Sequence, residues 1–127
     1  MKKGIEVNMV VSNPVERSQQ LANVFTANVE KPASVFSQDD EVMIVLENEL
    51  SLHLLKENQS IGLNLPETAQ TALWITVIVA DIQVTLANVD QDNFTVTVPL
   101  TREPTENMQY FVMVDSDGYQ WMVYQAD

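Results

Sequence analysis

The parts available for chemistry in this chain are few. Its 127 residues include one histidine, His53, and no cysteine. That excludes disulfides, thiolate nucleophiles and thiolate metal ligands. His53 carries an imidazole, a group suited to act as a general base or a metal ligand. Glu6 is a carboxylate able to act as a base or to hold a cation. Plainer roles stand beside these: His53 as a polar residue on the open face of a strand, between Leu52 and Leu54, and Glu6 as a solvated position near the N-terminus. No histidine, carboxylate and hydroxyl follow one another as a nucleophile constellation would require. Three glycines supply no phosphate-cradling loop. A second group is apolar and polarizable: Trp74, Trp121, Met122, Tyr110, Tyr119 and Tyr124. Such side chains grip flat or hydrophobic ligands by stacking and dispersion, and aromatics above an acidic rim also suit a cation. Trp74 and Trp121 could equally fill the core between sheet and helix. Strand alternation puts Trp121 and Met122 on opposite faces, so at most one of them meets a ligand.

The elements that must position these residues occur twice. Ile5 to Ser12 reads as a strand. Asn13, Pro14 and Glu16 then form a helix start with a capping box. Val15, Leu21, Ala22, Val24 and Phe25 make one apolar helical face, and the helix is expected to end near Asn28. Lys31 and Pro32 begin an extended segment toward Phe36, and Ser37 to Asp40 reads as a turn. Val42 to Leu46 and Leu50 to Lys56 form a hairpin. Glu57 to Gln70, with Gly62 and Pro66, is the natural joint. Leu73 to Val79 is again a strand, and Asp81 caps a shorter helix with Ile82, Thr85, Leu86 and Val89 inward. Thr95 to Leu100 is a strand, Pro99 and Pro104 bracket a loop, and Gln109 to Val114 and Tyr119 to Tyr124 form the closing hairpin. The two capping residues, Asn13 and Asp81, are 68 positions apart, and Asp115 lies the same distance beyond Glu47. Order rather than identity carries this duplication, and each half reads β-α-β-β-β. The expected organisation is one domain over 1–127, with module one at 1–57, a linker at 58–70 and module two at 71–127.

Composition narrows the partners. The formal net charge is −12, with six Lys and Arg against eighteen Asp and Glu. A phosphate-tracking groove cannot be built from that balance, so nucleic acid is not an expected partner. The charge serves solubility first and cationic ligands second. Lys2 and Lys3 are followed by an apolar run broken at Glu6 and Asn8, unlike a signal peptide. Ala72 to Ile82 is too short to span a bilayer. A cytoplasmic protein without a membrane partner is expected.

Three local patterns in this order resemble the vicinal oxygen chelate superfamily, which includes glyoxalase I, bleomycin-resistance proteins and extradiol dioxygenases. Asp115-Ser116-Asp117-Gly118-Tyr119-Gln120-Trp121 is similar to the family's Asp-Pro-Asp-Gly-Asn/Tyr turn before the last strand. Val10 to Ser18 is similar to its entry into the first helix, and Leu50 to Leu55 to the strand closing the first module. Two departures stand out: Leu21-Ala22 replaces an aromatic pair, and Asn107 occupies a usual glycine position. The resemblance implies an α+β fold in which two β-α-β-β-β modules form a curved mixed sheet around a cleft. It also implies a homodimer, since members of about this length usually pair.

Carried onto this sequence, the family's metal-ligand positions fall on Glu6, His53, Trp74 and Met122. The repeat supports that placement, since Glu6 and Trp74 differ by 68 and His53 and Met122 by 69, the added residue being assigned to a longer Asp115–Gly118 turn. An indole nitrogen has no lone pair for a metal, and a thioether suits copper(I). No cofactor is therefore expected. If a divalent metal ion binds, Glu6 and His53 are its ligands, joined by Glu47, Glu49 or Glu57 should the strands be shifted. The reading is a metal-independent protein that binds or sequesters an aromatic or cationic small molecule at Glu6, His53, Trp74, Met122 and Tyr110. The alternative is a metal-dependent lyase, transferase or dioxygenase. A protein-interaction module, its cleft plugged by Trp74 or Met122, is a third.

Overall fold

A computed structural model describes residues 5–32, 34, 36–67, 70–105 and 107–126. Lys2, Lys3, and Ala33 and Val35 of the Lys31–Phe36 stretch lie outside the described residues. The chain divides into two compact units, Met1–Leu65 and Pro66–Asp127. The first contains β1 (Val7–Val10), α1 (Pro14–Val24), β2 (Ala27–Glu30), β3 (Val42–Leu46) and β4 (Leu50–Leu55). The second contains β5 (Gln70–Ile78), α2 (Ile82–Ala87), β6 (Phe94–Glu103), β7 (Met108–Asp115) and β8 (Tyr119–Ala126). Each unit is thus β-α-β-β-β around a four-stranded mixed sheet, ordered β1-β4-β3-β2 in one and β5-β8-β7-β6 in the other. Among the described residues no helix is long and apolar enough to cross a membrane.

Local chemistry sets both helix starts. The Asn13 side-chain oxygen accepts from the Glu16 backbone N–H at 3.1 Å, and its amide donates to the Glu16 carboxylate at 3.2 Å. Asp81 repeats the cap by accepting from Val84 N–H at 3.2 Å. Each such cap contributes about 1 kcal/mol. The first helix is shorter than the sequence pattern suggests. It ends at Val24, and Phe25 turns to extended backbone. The second strand consequently begins at Ala27, within the stretch read as helix, and pairs antiparallel with β3 from Ala27 against Leu46.

The duplication is visible in strand register. The first and last strands of each unit pair in parallel, with Val7 opposite Leu52, Asn8 opposite His53 and Met9 opposite Leu54. In the second unit Ile75 faces Trp121, Thr76 faces Met122 and Val77 faces Val123. Every pair is displaced by the same 68 and 69 positions. The hydrogen bonds closing these ladders correspond as well: Val11 N–H to Leu55 O at 2.8 Å, and Val79 N–H to Tyr124 O at 2.9 Å.

The register also corrects the numbering of the repeat. Met43 faces His53 in the first unit and Val112 faces Met122 in the second, so both hairpin strands are displaced by 69. Asp115 therefore stands where Leu46 stands, not Glu47. Both hairpins turn through three residues, 47–49 and 116–118, so the added residue lies upstream of β3 and β7 and not in the final turn. Pro99, read as the edge of a loop, lies inside β6. This strand is at the sheet edge, and its pairing is irregular between Val98 and Thr101. A residue without an N–H is tolerated at such a place. Asn107 takes a left-handed conformation (φ 53°), which explains a residue type able to replace glycine there.

Asp115 is the organising polar group of the second hairpin. It is buried, and one carboxylate oxygen accepts from the N–H groups of Asp117 and Tyr119, both at 3.0 Å. The other accepts from the Trp121 indole at 3.0 Å. Gly118 (φ 92°) supplies the left-handed backbone that completes the turn. Trp121 is fully buried with Phe111, Met113 and Val123. Asp115→Ala would remove the acceptor that the Asp117 and Tyr119 N–H groups and the buried Trp121 indole share. The expected loss is about 3 kcal/mol of unfolding free energy in urea titration, and a loss below about 1 kcal/mol would show that the turn does not depend on this carboxylate.

Candidate functional site

In the first unit, β4 carries His53 between Leu52 and Leu54, which project to the opposite face. All three are buried, His53 at 2% exposure, so the histidine is not a solvated residue on an open sheet face. Its Nε2 lies 2.7 Å from Glu41 Oε2, and Nδ1 lies 3.9 Å from Glu6 Oε2. Phe36 packs edge-on against the ring, with centroids 5.8 Å apart. An ionised carboxylate only accepts hydrogen bonds, so the shared hydrogen sits on Nε2 and donates to Glu41. In the neutral ring this leaves the Nδ1 lone pair directed to the Glu6 side.

The preceding segment holds Glu41 in place. Glu41 Oε1 accepts from the Gln38 backbone N–H at 3.2 Å. The Gln38 side chain accepts from Lys56 N–H at 2.8 Å and donates to Lys56 O at 3.0 Å. Ser37 to Asp40, which reads in the sequence only as a turn, thus ties Glu41 to the end of β4. Glu6 immediately precedes β1, and its side chain is 44% exposed. The site therefore has a buried, oriented half and an accessible half.

Glu41 is the residue that the sequence reading missed. The available signal was the repeat: a displacement of 69 carries Glu41 onto Tyr110, as it carries His53 onto Met122. Glu47, Glu49 and Glu57, considered as substitutes, do not join His53. Glu47 accepts from Thr26 N–H at 3.1 Å and Glu57 from Leu65 N–H at 2.8 Å, while Glu49 lies exposed in the turn.

In the second unit Trp74 stands opposite Gln120, Met122 opposite Thr76 and Val112, and Tyr110 opposite Tyr124. Trp74 is 43% exposed and so does not fill the core, whereas Trp121 does. Met122, Tyr110 and Tyr124 are half-buried. The counterparts of Glu6, His53 and Glu41 are therefore Trp74, Met122 and Tyr110: a carboxylate–imidazole cluster in one module answers to an aromatic and thioether set in the other.

The donors fit a metal poorly. His53 Nδ1 and Glu6 are the two competent groups on one side of the ring. Glu41 engages the opposite ring edge and cannot converge on the same point. Among the described residues no group of three His, Asp or Glu is arranged to hold an ion. Three protein ligands are usual for a catalytic centre.

Solved structures with the same fold are numerous. A member of the glyoxalase/bleomycin resistance protein/dioxygenase superfamily from Sphaerobacter thermophilus is 15% identical, with a TM-score of 0.72 over 98% of each chain. A variant of the fosfomycin resistance protein FosX from Listeria monocytogenes, complexed with Mn(II) and 1S,2S-dihydroxypropylphosphonic acid, is 12% identical. It superposes with a TM-score of 0.70 over 100% of this chain and 95% of that one. TioX from Micromonospora sp. ML1 is 13% identical, with a TM-score of 0.67 over 98% and 97%. No protein-family model and no curated protein matches the sequence. The chain has the vicinal oxygen chelate fold.

The Glu41–His53 contact is testable by a double-mutant cycle with Glu41→Ala and His53→Ala. A buried hydrogen bond to a charged group should give a coupling energy of about 1–2 kcal/mol in denaturant titrations. Additive effects would mean that the two side chains do not interact.

Proposed function

We propose that this chain is a metal-independent protein that binds or sequesters a small aromatic or cationic molecule. One observation carries the reading: the second module replaces the donors of the first with Trp74, Met122 and Tyr110. Indole, thioether and phenol side chains supply stacking and dispersion, not ligands for a hard or borderline ion. The first module, taken by itself, offers an exposed carboxylate beside an oriented imidazole. Among the described residues the side-chain oxygens paired with His53 are carboxylates and not hydroxyls, and binding without turnover is the activity these groups support best. The superfamily that the sequence resembles includes a bleomycin-resistance branch, whose members inactivate a drug by holding it, and the proposed role is of that kind.

Elemental analysis after incubation with Mn(II), Ni(II) or Zn(II) and desalting tests the proposal. The expected content is below about a tenth of an ion per chain, whereas a working site retains near one. Retention of one ion together with metal-dependent turnover would replace this reading with a metal-dependent lyase, transferase or dioxygenase.

A further inference from the structure

The geometry points to an ammonium-binding site formed by His53 Nδ1 and Glu6, with Glu41 as its positioning residue. This inference rests on the proposed binding function and names the chemical class of its ligand. Glu41 takes the Nε2 hydrogen at 2.7 Å and is itself held by Gln38, so the neutral ring presents Nδ1 as an acceptor. Glu6 Oε2 is a second acceptor, 3.9 Å from Nδ1.

That spacing discriminates between cations. A nitrogen placed about 2.8 Å from each acceptor, an ordinary hydrogen-bond length, sees them about 90° apart. Two N–H bonds of one ammonium group can serve both with modest bending. A small divalent ion about 2.1 Å from each donor would see them about 135° apart, wider than the neighbouring-ligand angles of tetrahedral or octahedral sites. At this spacing the pair suits a primary or secondary amine better than a small metal ion. Glu6 supplies the charge and is the accessible member of the pair, its side chain 44% exposed against 3% for His53. The −12 net charge favours approach of a cation. A neutral alcohol of the same shape can donate one hydrogen bond and gains nothing from the charge.

The test uses the full chain treated with EDTA, with benzylamine and benzyl alcohol as probes, followed through the side-chain NMR signals of the single histidine. Benzylamine should bind about fivefold more tightly than benzyl alcohol, the scale of a partly exposed ion pair. The preference should shrink as salt is raised toward about 0.5 M. Glu6→Gln, checked for native circular dichroism, should reduce the preference to near one, and Glu6→Asp should retain part of it. Equal affinity, a preference surviving in Glu6→Gln, or no response of His53 to either probe overturns the ammonium site and leaves metal-independent binding standing. Binding that requires added Mn(II) overturns both.

Discussion

The parallel pairing of the first strand of each unit with its last is the constraint on which the other features depend. Parallel neighbours cannot be joined by a tight turn and need a crossover of a dozen or more residues. Here the crossover is the capped helix followed by an antiparallel strand pair, so every module must contain all five elements. The closing bonds at Val11–Leu55 and Val79–Tyr124 hold the ladders in register. A slip of one residue in β4 would send His53 to the opposite face and replace it with Leu52 or Leu54. The imidazole meets Glu6 and Glu41 only because this register holds.

One scaffold thus carries two chemistries. In the first module a buried imidazole is oriented by a buried carboxylate and approached by an exposed one. In the second, the corresponding positions hold a tyrosine, a methionine and a tryptophan. The modules also differ where the fold itself is secured. Leu46 is an ordinary core residue, while its counterpart Asp115 is a buried carboxylate that closes a turn and fixes the Trp121 indole. The Asp115-to-Trp121 pattern that suggested the fold is therefore a structural device of the hairpin.

Much of the architecture was legible because it is written locally. Asn13, Pro14 and Asp81 mark helix starts by side-chain chemistry that needs no tertiary partner, and the Leu46–Leu50 and Asp115–Tyr119 turns separate clear strands. Failures arose where tertiary context decides. Ala27 to Glu30 continues a helical pattern, yet sheet pairing with β3 captures it. Pro99 reads as a breaker, yet an irregular edge strand accommodates it. His53 could be read either as a site residue or as a polar position on an open strand face, and Glu41, between the Ser37–Asp40 turn and the strand at Val42, was not singled out. Neither their burial nor their contact can be read from spacing along one chain. Only the displacement of 69 linking Glu41 to Tyr110 held that information, and it becomes usable once the hairpin register is known.

The central claim is that Glu41 holds the hydrogen of His53 on Nε2 and leaves Nδ1 free to accept. Long-range ¹H–¹⁵N NMR reports this directly, because the chain has a single histidine and its side-chain spectrum needs no assignment. An Nε2–H tautomer is expected in the folded protein, with a slowly exchanging ring N–H that is lost in Glu41→Ala. An Nδ1–H tautomer, or a ring averaging between the two as in a free peptide, would contradict it.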